Sequence, residues 1–345
     1  MTHEPELTTP VDLCQPGGRL LADAAKGWSR QPLHRANLGG GWGRTKRWDY
    51  WAILAGDLVV ALTYADVDYL GLASMWWVDL STARSGGRDI AIPLARGFHL
   101  PERSGDEPLR YRGRSLRLDI ADDAEGTSLC AEWRERDGER GCLDARVDLP
   151  PAHESLNVVI PWDQRRFQFT SKHQARPAHG TFSLGADNRS FGDDTDGGVS
   201  AWGVLDVGRG RWPYRTRWNW GGGAGRTDDG HLLGLQLGGK WTDGTGFTEN
   251  GVIVDGRLTK LGAELTWDYD WEHPLRAWRV RDPSGSLDLR LDPTYDRHTK
   301  VEALVAGTQV RQVFGEWSGT VTDDAGTVHR FERLQGFAEE SRSRW

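Results

Sequence analysis

Apolar and polar residues alternate along much of this chain with a period of two. SLRLDI sets Leu116, Leu118 and Ile120 on one face, SLDLRLD does the same with Leu287, Leu289 and Leu291, and RAWRVRD with Trp278 and Val280. In VFGEWSGTV, Val313, Gly315, Trp317, Gly319 and Val321 fall on one side, and Phe314, Glu316 and Ser318 on the other. That period belongs to a strand with one face toward a core. Turn signals punctuate the runs: Asp-Gly at 137–138, 229–230, 243–244 and 255–256, PSG at 283–285 and DDAG at 323–326. No segment sustains a 3.6-residue apolar period, so helices are expected to be few and short, at the N-terminus or around GFAEESRSRW. The expected fold class is all-β and antiparallel, with the strands arranged as barrels or sandwiches that shorten or remove exposed edges.

Two strand-rich halves are expected, residues 15–150 and 181–345, joined by a connecting segment at 151–180 that carries PPAHESLNVVIPWDQRRFQFTSKHQ. KRWDYWAILAGDLVVAL in the first half is echoed by RTRWNWGGGAGRTDDGHLLGL in the second. Each has a basic residue before Trp, a second Trp close behind, then a turn and an apolar strand. The echo suggests two barrels of similar design packed together.

At 345 residues, 37% hydrophobic and 27% charged, the chain can bury a substantial core. The formal charge of −7 argues against nucleic acid or an anionic membrane as the main partner. The sequence has no run of ~18 apolar residues, so no membrane span is expected. The acidic start MTHEPELTTPVDLCQPGG has no apolar signal core, which points to a cytoplasmic location. Cys14, Cys130 and Cys142 are too few and wrongly spaced for a disulfide framework or a zinc site; reduced thiols are expected, with a Cys130–Cys142 bridge as the alternative. The 18 tryptophans are the compositional outlier. They can fill a wide core, line a ligand cavity or stack on sugars.

Most chemical motifs fail on inspection. GLQLGGKW at 234–241 has the glycines and Lys240 of a phosphate loop, but Trp241 stands where Ser or Thr is needed, and no helix follows. GGGWGR at 39–44 and GGGAGR at 221–226 do not complete a dinucleotide fingerprint. GDDTDGG at 192–198 lacks the carboxylate spacing of a calcium loop and reads as a solvated turn. Neither a metal-binding histidine pattern nor a G-x-S-x-G elbow occurs, and no cofactor is expected. Asp49, Asp66 and Asp68 read as strand-end carboxylates.

What remains is polar residues among aromatics. In RGRWPYRTRWNWGG at 209–222, alternation puts Trp212, Tyr214, Trp218 and Trp220 on one face, with Asn219 and Arg211, Arg215 and Arg217 opposite. Such a face can line a cavity for an apolar or cyclic ligand, or it can be core. DQRRFQFTS similarly sets Phe167 and Phe169 against Arg166 and Gln168. LGGKWTDGTGFTENGVIVDGRLTKL at 237–261 is unusually dense in hydroxyls and carboxyls. It reads as two turns, and also as the loops of a barrel mouth.

The blocks KRWDYWAI, ADVDYLGLA, WDQRRFQFTSKHQ, WGVLDVGRGRWPYRTRWNW, GGKWTDGTGFTENGVIVDGRLTKL and VFGEWSGTV resemble a bacterial family known only as a domain of unknown function, DUF2804, from about residue 15 to the C-terminus. That family is similar to the calycins, lipocalin-like barrels, and in particular to two-barrel proteins of the carotenoid hydratase and tocopherol cyclase type. The resemblance implies two calycin-like barrels in tandem and carries over no catalytic residue.

If the Trp face lines a cavity, one mechanism suits these residues. Protonating an alkene needs a carboxylic acid kept protonated by apolar burial, and the cation that forms needs Trp or Tyr faces. Asp243, after Trp241, is the first candidate acid, Glu249 the second and Asp206 the third; Thr242 or Asn250 could position a water. Asp243→Asn is then expected to abolish turnover and spare the fold. Three classes stay open: a carrier of an apolar, isoprenoid- or lipid-like molecule; a hydratase, cyclase or isomerase acting on one; and a glycan-active enzyme using Asp243 and Glu249 with Trp platforms. Oligomeric state is not legible.

Overall fold

A computed structural model describes residues 2–192, 200–302 and 307–344, and among these the chain is all-β apart from a 3-10 turn at Asp23–Ala25. Two large antiparallel sheets are packed together. The path of the first runs Arg84–Pro93, Leu70–Asp79, Leu58–Asp66, Thr45–Ala55, Ala201–Arg211, Phe167–Leu184, Arg140–Asp148, Gly126–Arg134, Leu116–Asp123 and Leu109–Arg112. The second runs Arg257–Leu261, Asn250–Val254, Leu232–Gly239, Arg215–Arg226, Val328–Arg344, Gly307–Thr322, Leu287–Glu302, Trp278–Arg281 and Thr266–Asp268.

The two paths share one plan. In each, an opening strand starts an outgoing meander, the chain then jumps to the far edge, and the return strands end beside the opening one. Ala201–Arg211 thus pairs with Thr45–Ala55, and Val328–Arg344 with Arg215–Arg226. The echo between KRWDYWAILAGDLVVAL and RTRWNWGGGAGRTDDGHLLGL falls on the opening strand and its partner in each sheet.

Each sheet curls around its own core. Trp77 on one arm of the first sheet and Trp133 on the other both pack on Phe182, at ring separations of 5.6 Å. Leu116, Leu118 and Ile120 are buried in that core; Leu287, Leu289, Leu291, Trp278, Val313, Trp317 and Val321 fill the core of the second sheet. The opposite strand faces meet each other: Ala52, Leu54 and Val59 of the first sheet pack with Trp220, Phe314 and Phe337 of the second. A strand such as Thr45–Ala55 therefore buries both faces, Trp51 and Ile53 inward and Ala52 and Leu54 toward the second sheet.

The Gly of every expected Asp-Gly turn has positive φ, for example +98° at Gly138 and +83° at Gly256, where a Cβ would be strained. GFAEESRSRW is strand rather than helix over its described residues, 336–344, because Val328–Arg344 is hydrogen-bonded along both edges. Residues 151–180, expected as a connecting segment, carry Leu156–Pro161 and much of Phe167–Leu184, both in the first sheet. Pro150 and Pro151 precede the first of these strands and Pro161 ends it, so none breaks a ladder. The chain passes between sheets at residues 212–214. Cys130 lies opposite Asp144 and Cys142 opposite Glu132, and all three thiols are free. No helix among the described residues is long and apolar enough to cross a membrane. From Asp193, the GDDTDGG run lies outside the described residues.

Candidate functional site

Between the sheets, where their apolar contact gives way to polar residues, lies a cavity of about 380 Å³. Register builds it. In the first sheet Lys172 pairs with Asp206, Asp206 with Tyr50 and Tyr50 with Thr63, so four adjacent strands present a row of polar side chains. In the second, Trp220 pairs with Glu339, Glu339 with Gln312 and Gln312 with Arg297. All eight residues line the cavity. Trp48, Trp212, Trp218 and Trp241 form an aromatic wall, with the Trp212 and Trp241 rings stacked at 5.2 Å.

Glycines make room for this set. A Cβ on Gly238 would lie 2.1 Å from Glu249 Cγ, and one on Gly208 would lie 2.2 Å from the Trp48 indole. Gly238 pairs with Trp220, so the Glu249 side chain occupies the next place in the second sheet's row.

Lys172 and three carboxyls, those of Asp206, Glu249 and Glu339, meet here. Lys172 Nζ is 2.8 Å from Asp206 Oδ1 and 3.4 Å from Glu249 Oε2, and it sits 4.5 Å from the Trp220 ring centroid. Asp206 also accepts from Trp48 Nε1 at 3.1 Å and Thr170 Oγ1 at 3.3 Å. Glu249 Oε1 accepts from Trp241 Nε1 at 2.6 Å, while its Oε2 has no hydrogen bond. Glu339 Oε1 accepts from Trp218 Nε1 at 2.9 Å.

Burial penalises the charged forms and pushes both Glu249 and Glu339 up to about 7; Lys172 pulls Glu249 back in part, and the Trp218 N–H and Arg297 do the same for Glu339. Burial also opposes the charge on Lys172, but Asp206 and Glu249 more than offset it and hold its pKa above the ordinary value. The buried Tyr50 phenol is raised to about 12 and stays a neutral donor; its oxygen makes no well-formed hydrogen bond, with Gln312 alongside. Gln168 spends its Oε1 on Trp212 Nε1 at 2.8 Å, and its buried Nε2 has no partner.

Six of the residues expected from sequence come together on this cavity: Asp206, Glu249, Trp212, Trp218, Trp220 and Trp241. The other five stand elsewhere. Asp243 is exposed in the turn after Leu232–Gly239. Tyr214 is 46% exposed in an adjoining outer pocket, because Pro213 separates two strands and the expected alternation does not run through it. Asn219 faces away, donating to the Glu339 carbonyl at 3.0 Å and to Tyr269 Oη at 3.1 Å. Thr242 donates to Glu264 at 2.8 Å. Asn250 ties Gly238 N at 2.6 Å to the Ala263 carbonyl at 3.0 Å. Asp243 and Glu249, the pair expected for sugar chemistry, thus do not share a cavity.

Lys172, Glu339, Trp48 and Tyr50 escaped the sequence reading. A signal for Lys172 was present: FQFTSK places Gln168, Thr170 and Lys172 on one face, while Phe167 and Phe169 of the same strand are buried on the other.

The family described as "Domain of unknown function (DUF2804)" matches residues 4–345, and the chain belongs to it. Among curated proteins none matches. Among solved structures, similar ones include kievitone hydratase from Nectria haematococca, at 12% identity and TM-score 0.47 over 99% of this chain and 97% of that one. A Nitrosomonas europaea protein provisionally described as an AttH shows 14% identity and TM-score 0.42, over 86% of this chain and 92% of that one.

Proposed function

We propose that the cavity between the sheets binds an apolar small molecule, isoprenoid- or lipid-like, and that a buried glutamic acid protonates it in a hydration, cyclisation or isomerisation. The observation that carries this reading is the pair Glu249 and Glu339, both raised to about 7 in a cavity walled by tryptophans. With both carboxyls raised to about 7, each is partly protonated and partly ionised near neutral pH, so the cavity can supply both a proton donor and a proton acceptor.

Glu339 is the donor in this reading. At 8% exposure against 2% for Glu249, it is the more accessible of the two. Glu249, paired with Lys172, takes the acceptor role: Lys172 and the Trp241 N–H stabilise its charged form. The proton passes from Glu339 to an sp² carbon of the ligand. The carbocation formed faces Trp212, Trp218 and Trp241, each worth roughly 1–2 kcal/mol when desolvated. Loss of a proton from the cation to Glu249 completes isomerisation; attack by water, with the proton of the resulting oxonium passing to Glu249, completes hydration. The enclosed aromatic wall favours this chemistry over glycoside hydrolysis, which needs two carboxyls flanking a sugar in an open groove.

The test is to purify the protein from its native host, denature it, extract with organic solvent and analyse the extract by mass spectrometry. A stoichiometric isoprenoid or lipid is the expected result. An empty extract, together with no saturable quenching of tryptophan fluorescence by apolar probes, would refute the reading.

A further inference from the structure

Trp212 also lines a second, larger pocket of about 1020 Å³, with Arg19, Arg44, Arg165, Arg166 and Arg211 around it and Asp163 as its one carboxyl. Arg166 pairs with Asp163 at 2.7 Å, and no carboxyl pairs with Arg19, Arg44 or Arg165 among the described residues. In a chain of net charge −7, so local an excess of arginine runs against the average.

Arg211 organises the pocket. It is 6% exposed and donates to the carbonyls of Gly18, Arg19, Gly39 and Gly40 at 2.6 to 3.0 Å. It therefore clips together the two glycine-rich loops that present Arg19 and Arg44. Its own Nε is buried and has no hydrogen-bond partner. Gly40 adopts φ +68°, and a Cβ there would lie 2.9 Å from Arg19 Nε, so the guanidinium of Arg19 rests on bare backbone. The run GGGWGR, which fails as a dinucleotide motif, thus has a structural purpose here.

Trp212 lines both this pocket and the tryptophan-walled cavity. We propose that the ligand of the cavity is an amphipathic anion, whose phosphate or carboxylate is held by Arg19, Arg44, Arg165 and Arg211 while its apolar part passes Trp212 into the cavity. Guanidinium groups suit either headgroup, because their paired N–H donors match its oxygens. This inference rests on the proposed apolar-ligand reading and narrows its ligand class.

Decanol, decanoate and decyl phosphate, each below its micelle concentration, are titrated against the full chain with tryptophan fluorescence as the readout. Binding of the anions at least tenfold tighter than decanol is expected, with the gain shrinking as salt is raised. In Arg19→Ala/Arg165→Ala, the anions should fall to the level of decanol, and decanol itself should be unchanged. Whichever anion keeps the larger gain identifies the headgroup. Equal affinity for alcohol and anions, or a gain that survives the double substitution, overturns the proposal and leaves the cavity reading standing. Should none of the three bind, the cavity reading falls, and the arginine pocket is judged by calorimetry with inorganic pyrophosphate. Saturable binding that is lost in the double variant upholds the anion site; no binding overturns it.

Discussion

Replacing Glu339 with glutamine keeps the shape of the side chain and an oxygen to accept from Trp218 Nε1, and removes the ability to ionise. In the folded protein burial raises this carboxyl from 4.5 to about 7, so folding binds its proton more tightly than the unfolded chain does. The sign follows: Glu339 costs nothing below its unfolded pKa and lowers stability as pH rises from about 4.5 toward 7, reaching a plateau above that. A shift of that size is worth about 3 kcal/mol. Urea denaturation of the natural protein and Glu339→Gln should therefore agree to within ~1 kcal/mol near pH 4.5, with the variant more stable by about 3 kcal/mol near pH 8. Taking the difference at each pH cancels the contribution of titrating groups that do not interact with Glu339. Turnover on the ligand, once identified, should fall by roughly 10²–10⁴-fold in the same variant, the usual contribution of a general acid. A stability difference that stays flat with pH, or that favours the natural protein at high pH, would refute the placement of an ionisable Glu339 in a desolvated cavity.

Lys172→Met leaves Asp206 and Glu249 buried without their cation. A cost of about 3–5 kcal/mol is expected at alkaline pH, shrinking as pH falls and Glu249, whose carboxyl is raised further once Lys172 is gone, takes up a proton; the denaturation midpoint against pH reads it directly. Gly238→Ala drives a methyl group into Glu249 Cγ and should destabilise by about 1–3 kcal/mol, with ligand affinity falling as the carboxyl is displaced. Asp243→Asn, in an exposed turn, should change stability by no more than about 0.5 kcal/mol and leave ligand binding intact; a large loss would place the chemistry at the turn instead.

The alternating faces were legible because a strand's side-chain period is local. Leu116, Leu118 and Ile120, or Leu287, Leu289 and Leu291, point to a core whatever else the chain does. The Asp-Gly turns and the aromatic face of Trp218 and Trp220 were readable for the same reason, whereas Trp212 lies before the Pro213 break and joins them only through the fold. Glu339 was not. It stands in a segment whose short-range pattern allowed a helix, and it becomes part of a site because Val328–Arg344 runs between two partner strands that set Trp220 on one side of it and Gln312 on the other.

Sequence by itself determined that this chain is antiparallel β, where it turns, and which residues share a face. Only the tertiary structure decided which faces turn inward to each sheet's own core and which meet across the two sheets. It also decided that Lys172, Asp206, Glu249 and Glu339 surround one cavity while Asp243 stays in solvent. Strand register and burial are sums over residues far apart in the chain. The chemistry of a carboxyl follows from those sums and not from the density of polar residues beside it in sequence.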